Sequence, residues 1–302
     1  MKNRMEIEKK RVAGVSVIAA LFLTGFKLVV GLLTGSLGIL SEALHSGLDL
    51  VAAVITWFSV RISDRPPDKN HHYGHGKIEN FSALIETFLL LITCAWIIYE
   101  AVNRLMSGNT KIEVNVFSYF VILISIAIDI ARSRALYRVA RKYNSQALEA
   151  DALHFSTDIW SSAVVLLGLI MAQFGWFFAD SVAALAVAFI VLGVSWRLGK
   201  RAADVLLDRS PAPLVARLES VLNQAQNILG YHDLRVRTSG AENFIEVTIH
   251  VQPGLTLENA HNISHQIEKQ IIETLPRSYV HVHIEPDKHP PELNTTDTIE
   301  HN

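Results

Sequence analysis

Six long windows dominated by apolar residues follow one another along the first two-thirds of the chain: about Val12–Leu33, Leu37–Ile62, Phe81–Val102, Val114–Leu136, Ala147–Gln173 and Trp176–Leu198. Each meets the length of about 20 residues that a helix needs to cross roughly 30 Å of hydrocarbon. The second and fifth windows are interrupted by histidine and aspartate. After Arg201 the pattern changes. Ser210-Pro211-Ala212-Pro213 breaks the chain, and no further window of spanning length follows. From Pro213 to about Ile228 the apolar spacing is helical, with Gly230 as its expected C-cap. Leu234–Arg237 and Phe244–Val251 alternate with period two around Ser239-Gly240 and predict a hairpin. Thr256 through Leu275 predicts a second helix, capped by Thr256 and followed by Pro276; Ile263, Ile267 and Ile271 recur at four-residue steps. Val280–Glu285 is the third strand. The expected organisation is a six-helix transmembrane domain over 1–208, a cytoplasmic α+β domain over 209–290 with helices on one face of a sheet, and a disordered polar tail over 291–302.

Composition agrees with a polytopic membrane protein. Half of the 302 residues are hydrophobic and only 19% are charged, against about 25% charged in a soluble domain; the mean hydropathy is +0.28. A formal net charge of −2 gives no basic footprint, so nucleic acid is not an expected partner. The one cysteine, Cys94, excludes a disulfide framework and any multi-cysteine metal cluster, and is expected to pack within the third window. With 13 histidines, a bound transition metal must be held by imidazole and carboxylate.

Orientation follows from lysine and arginine in the connections. Basic residues cluster before the first span (Lys2, Arg4, Lys9, Lys10, Arg11) and after the second (Arg61, Arg65, Lys69, Lys77). They cluster again after the fourth (Arg132, Arg134, Arg138, Arg141, Lys142) and at the exit of the sixth (Arg197, Lys200, Arg201). The opposite connections hold only Arg104 and Lys111. Both termini are therefore expected in the cytoplasm. The N-terminus is too charged for a cleavable signal and its apolar stretch too long for an h-region, so the first span is expected to be retained.

The interruptions carry the chemistry. His45 and Asp49 in the second window, and His154 and Asp158 in the fifth, are each spaced i, i+4, which puts both side chains of a pair on one helical face. At about 1.5 Å per residue, His45 and Asp49 lie ~12 and ~18 Å past Leu37, and His154 and Asp158 ~10 and ~16 Å past Ala147. The two windows run antiparallel, so both pairs fall near the midplane. A charge there costs at least about 2.5–3.5 kcal/mol on insertion scales. Two imidazoles and two carboxylates supply the four ligands of a tetrahedral divalent ion, which offsets that cost. The alternative is a hydrogen-bonded His–Asp network that only ties two spans together.

The run Ser36-Leu-Gly-Ile-Leu-Ser-Glu-Ala-Leu-His45-Ser-Gly-Leu-Asp49 resembles the second-span signature of the cation diffusion facilitator transporters, and Ala152-Leu-His154-Phe-Ser-Thr-Asp158 resembles their fifth-span signature. The resemblance covers nearly the whole chain and is closest to the bacterial ferrous-iron and zinc efflux members. It implies that His45, Asp49, His154 and Asp158 form the transport site, with the two-His, two-Asp set associated with zinc. It also implies a ferredoxin-like, metallochaperone-like cytoplasmic domain, a homodimer, and a multi-pass protein of the cell (inner) membrane. Lys77 and Asp208 match positions that form an inter-subunit charge contact in the family.

A second cluster, Asp68-Lys-Asn-His71-His72-Tyr-Gly-His75, lies in the basic connection after the second span. Such a tract also occurs in a merely solvated loop. Asp68, His71 and His75 match the family's loop metal site, with His72 as the competing ligand. In the cytoplasmic domain, His283 and Glu285 are two apart and share a sheet face. The resemblance implies a binuclear zinc site there, with His232, His261 and His283 matching its ligands. Glu285 stands where aspartate is usual and Thr248 where a histidine is usual; His250, two residues on and on the same face, is the available substitute. His265 and His281 are expected to be surface histidines. Lys27 is expected to snorkel or to pair with a carboxylate. Glu42, Glu86 and Asp129 are expected either to line a water-filled cavity or to stabilise the bundle. Gly31, Gly35 and Gly38 are expected to permit close packing at helix ends.

The expected function is export of a divalent metal, zinc first, from the cytoplasm in exchange for protons, with zinc both cargo and structural ion. The alternatives are a preference for cobalt, cadmium, iron or manganese, and a membrane metal sensor or assembly partner that does not transport. A membrane zinc hydrolase lacks motif support. His261-Asn-Ile-Ser-His265 has the H-x-x-x-H spacing without the glutamate, and no G-x-S-x-G elbow occurs, so an enzyme is not expected.

Overall fold

The computed structural model describes residues 2–34, 37–107, 116–173 and 179–287. Gly35, Ser36, Lys111 and the tail over 291–302 lie outside the described residues. The chain folds as two units, Met1–Leu207 and Asp208–Asn302.

The first unit is built from six long helices: α1 (Lys2–Thr34), α2 (Leu37–Ser63), α3 (Lys77–Ser107), α4 (Val116–Tyr143), α5 (Gln146–Gln173) and α6 (Ala179–Leu206). α1 packs on α2, α3 on α6 and α4 on α5, while α5 also meets α2, α3 and α6. The distribution of side chains inverts that of a soluble bundle. Large apolar groups such as Ile18, Leu44, Phe88, Trp96, Phe189 and Trp196 face outward, whereas Lys9, Lys27, Glu79, Glu86, Arg132, Asp151 and His154 are buried. Lipid is the solvent that makes such an arrangement favourable. Helix interfaces are lined by small residues, among them Ala13, Ala20, Ala52, Ala53, Ala83, Ala150 and Ala202, as expected where dispersion contacts, not the hydrophobic effect, hold helices together. Gly31 is one such contact: a Cβ there would lie 2.8 Å from Leu40 Cδ2.

Among the described residues, four helices contain stretches that are long and apolar enough to span a bilayer: Arg4–Leu33, Glu42–Ser63, Lys77–Asn103 and Ser181–Leu206. α4 and α5 have 28 residues each, about 42 Å of helix, but α4 carries Asp129, Arg132, Arg134 and Arg138, and α5 carries Glu149, Asp151, His154 and Asp158. These charged residues lower the mean hydropathy, and some of them point inward: Asp129, Arg132, Asp151 and His154 are buried, whereas Arg134 and Arg138 are exposed. Two members of the basic flanks, Lys9 and Arg132, are likewise buried and ion-paired.

The second unit contains α7 (Ala212–Gln224), β1 (Gly230–Ser239), β2 (Glu242–Val251), α8 (Leu257–Thr274) and β3 (Ser278–Pro286). β1 and β2 form an antiparallel hairpin, and β3 lies parallel to β2 at the other edge. Ile245, Val247, Ile249 and Val251 point into a core with Leu218 and Leu222 of α7 and Ile267 and Ile271 of α8, so both helices cover one sheet face. Thr256 caps α8 by accepting the N–H of Asn259. The expected C-cap at Gly230 is corrected. α7 stops at Gln224, where the Ala225 N–H bonds the Leu222 carbonyl. Gly230 instead opens β1 opposite His250, because the backbone of 229–232 is claimed by the sheet.

Candidate transport site and metal clusters

The i, i+4 pairs on α2 and α5 meet across the interface between these helices. His154 Nε2 lies 3.1 Å from Asp49 Oδ1 and 3.9 Å from Asp158 Oδ2. His45 Nε2 lies 3.7 Å from Asp158 Oδ1. Ligand atoms of His45, Asp49 and Asp158 all lie within 4.8 Å of one another, and His154 joins them through the two aspartates. Each histidine thus faces an acid of the other helix. Asp158 Oδ2 is buried without a hydrogen-bond partner among the described residues, which leaves a lone pair that an ion can take up; the His154 ring faces the aspartates with Nε2.

These residues open into a cavity lined by Lys27, Glu42, His45, Asp49, Ile122, Asp129, Asp158, Ser161 and Ser162. Glu42 lies toward the start of α2, Ile122 toward the start of α4, and Ser161 and Ser162 beyond Asp158 on α5. These positions share one side of the antiparallel bundle, the side away from the Asp68 loop. Toward the other side the helices are closed by buried polar layers. Thr56 Oγ1 donates to Glu86 Oε1. Ser16 Oγ donates to Asp151 Oδ2 at 3.2 Å and accepts from Arg132 Nη2 at 3.1 Å. Arg132 also bonds Asp129 Oδ1 at 3.3 Å and lies 3.5 Å over the Phe155 ring. Further on, Lys9 Nζ bonds both Asp64 and Glu79 at 2.6 Å, and Ser63 and Ser145 donate to Glu79. Sequence reasoning missed Arg132 and Asp151 in this role. Their only local signal is spacing, three residues after Asp129 and three before His154.

The loop between α2 and α3 gathers its cluster through a tight turn. Asp68 exchanges backbone hydrogen bonds with His71, and Gly74, at φ 76°, lets the chain return so that its N–H bonds the His71 carbonyl. Asp68 Oδ1 is 3.1 Å from His71 Nδ1, Asp68 Oδ2 is 3.3 Å from His75 Nε2, and the two rings stand 4.3 Å apart. The Asn70 N–H, followed by the N–H and ring of His71, holds the Asp68 carboxyl below its usual range. The expected competitor, His72, sits outside this triad, its Nε2 3.1 Å from the Lys69 carbonyl.

In the second unit, His232, His250 and Glu285 bring their ligand atoms within 4.8 Å of one another, with His250 Nε2 2.8 Å from His232 Nδ1. Register explains it: Thr248 pairs with His232 on one side and His283 on the other, and His250 pairs with Glu285. All five therefore share the sheet face away from α7 and α8. His283 Nε2 is 3.7 Å from Glu285 Oε1, outside the close set, and so is His261 on α8, whose ring stacks 5.8 Å from that of His265. Two imidazoles and a carboxylate fit a zinc ion with one open position. Thr248, 8% exposed, fills the central position with a hydroxyl where an imidazole would coordinate.

Family models describe the two units. One for the cation efflux transmembrane domain matches residues 13–207, and one for the cytoplasmic domain of cation efflux proteins matches residues 211–287. An uncharacterized transporter of Methanocaldococcus jannaschii is 30% identical over 282 residues, covering 92% of this chain and 99% of that protein. The cation-efflux pump FieF of Shigella boydii is 32% identical over 256 residues, 84% of each chain. Among solved structures, the metal-bound C-terminal domain of the CzcD transporter from Thermotoga maritima is 26% identical and covers 25% of this chain and 88% of its own, with a TM-score of 0.24.

Proposed function

This chain belongs to the cation diffusion facilitator family of cation efflux transporters, and from that premise we propose that it is a zinc–proton antiporter that exports zinc from the cytoplasm. It is an integral membrane protein of a transporter family, not of an enzyme family. The observation that carries the reading is the crossed pairing of His45 with Asp158 and of His154 with Asp49: His45, Asp49 and Asp158 bring ligand atoms within 4.8 Å of one another, and His154 stands against both aspartates. Imidazole favours zinc over the ions that all-oxygen sites prefer. The same atoms must shed protons to bind a metal, so loading releases protons and protonation releases the ion. Exchange then needs only that the bundle alternate in the side to which the site opens. With the Asp68 loop in the cytoplasm, the cavity beside His45 faces outward and the buried layers at Glu86, Arg132 and Glu79 form its closed inner side.

The loop triad is assigned to capture of cytoplasmic ion, and the His232–His250–Glu285 set to a structural zinc in a domain through which two copies associate, in the cell (inner) membrane. Asp49→Ala and Asp158→Ala should each abolish zinc-driven proton movement in proteoliposomes. Robust flux from either variant would refute the assignment of the site.

A further inference from the structure

One cation lines the transport cavity and a second, Arg132, reaches one of its acids from the closed layer beneath, although a site for a metal ion has no evident use for either. Lys27 of α1 lines the cavity and is 5% exposed. Its ammonium donates to Glu42 Oε2 at 3.1 Å and to Ser46 Oγ at 2.8 Å. Thr24, one turn earlier, bonds the Ser46 carbonyl at 2.8 Å and fixes α1 against α2 at this level. Arg132 of α4, 6% exposed, holds Asp129 Oδ1 at 3.3 Å. Glu42 and Asp129 are the cavity acids not assigned to the ion, and each has its own cation. Asp49 and Asp158, by contrast, face histidines. Taken as pairs, Lys27–Glu42 and Arg132–Asp129 are each neutral, so with neutral imidazoles Asp49 and Asp158 leave two negative charges on the cavity wall, which one divalent ion balances; Asp151, linked to Arg132 through Ser16, lies in the layer beneath and not on the wall.

We propose that the Lys27–Glu42 pair sets the charge of the transport cavity, so that a bound dication brings it to neutrality and still leaves readily. The inference rests on the transport-site reading above. The Lys27 ammonium is buried, so its interaction with the ion is weakly screened, and a unit of uncompensated charge beside the site acts on both charges of the ion. The pair is also the one best placed to act on release. Glu42 lies one turn from His45 toward the open side of the cavity, and its side chain is 49% exposed.

The two partners must therefore shift ion affinity in opposite directions, which a merely structural contact would not do. In zinc flux measured on full-length protein in proteoliposomes, Glu42→Gln leaves the ammonium unbalanced and should raise KM by about tenfold. Lys27→Met leaves the carboxylate unbalanced; KM should fall by about as much, and kcat should fall with it because the ion departs slowly. The double variant should return KM to within about threefold of the parent, and Lys27→Arg should keep it there. Shifts of both single variants in the same direction, or no shift, would overturn the proposal. If Lys27→Met yields no monodisperse protein, Glu42→Gln decides alone: a raised KM supports the proposal and an unchanged or lowered KM overturns it. Asp158→Ala separates the premises. Persistent flux there removes the transport site itself, whereas lost flux with no opposed KM shifts removes only the role of the pair.

Discussion

A single carboxylate organises the loop between α2 and α3. Asp68 accepts the N–H groups of Asn70 and His71, faces the His71 ring with one oxygen and the His75 ring with the other, and its carboxyl is held below the usual range chiefly by the Asn70 N–H. Because the folded value is depressed, the ordering contribution of the carboxylate is complete above the ordinary aspartate range near about 3.9 and is lost only as pH falls through the lower folded value. The amide resonances of Asn70 and His71 should therefore keep their folded positions on acidification to about pH 4 and move below it. A transition of these amides in phase with histidine titration, or unchanged amide positions in Asp68→Ala at neutral pH, would tell against this account. The loop cluster was visible in sequence as a histidine-rich tract, but the choice of Asp68, His71 and His75 over His72 comes from the resemblance, since spacing alone also fits a solvated loop. Arg132 was not legible. Beside Arg134 and Arg138 it reads as one more charge at the membrane boundary, and only the fold turns it toward Asp129 and Ser16.

Helix contacts in the membrane unit depend on small residues, and Gly199 is the sharpest instance. α3 and α6 approach so closely there that a Cβ would lie 2.7 Å from Thr87 Cγ2. Thr87 cannot easily turn aside, since its hydroxyl bonds the Ala83 carbonyl at 2.8 Å. Gly199→Ala should destabilise the protein by about 1–3 kcal/mol, the usual cost of overpacking. Adding Thr87→Ser, which removes the offending methyl and keeps the hydroxyl, should recover most of the loss. Thermal unfolding in detergent measures both, and a double variant no better than the single one would mean that the strain lies elsewhere. No pattern of hydropathy marks Gly199, because close approach is a property of two helices and the sequence shows one at a time. The same limit explains the end of α7. Apolar spacing continues to Ile228, yet pairing of Gly230 with His250 takes the chain into the sheet, and a strand partner twenty residues away is invisible to local periodicity. The alternation in β2 and β3 was legible because one face is filled by α7 and α8.

At the scale of the molecule, the proposed transport and loop sites serve export only if the two sides of the bundle differ. α2 and α5 run antiparallel through the site, so Glu42, Ile122 and Ser162 mark one side while the Asp68 loop marks the other. The proposed orientation puts the loop side in the cytoplasm because the basic connections lie there, and burial of Lys9 and Arg132 does not remove that bias. Arg61 still lies in the last turn of α2 with Arg65 and Lys69 after it, and Arg134, Arg138 and Arg141 still lie toward the end of α4. Asn70 precedes α3 and Met106 lies in its last turn, so the two positions must lie on opposite sides if α3 spans. The protein has one cysteine, Cys94, and it is buried, so Cys94→Ser provides a background for single labels. A membrane-impermeant maleimide should modify Met106→Cys, at an exposed position, from outside intact cells and Asn70→Cys only in inverted vesicles. Labelling of both from one side would leave α3 short of a full crossing. The reverse pattern would place the His71 and His75 cluster outside, where it could not gather an ion for export, and would turn the open cavity beside Glu42 toward the cytoplasm. Orientation is thus what converts a symmetric chemistry, in which either side can load the same four ligands, into export.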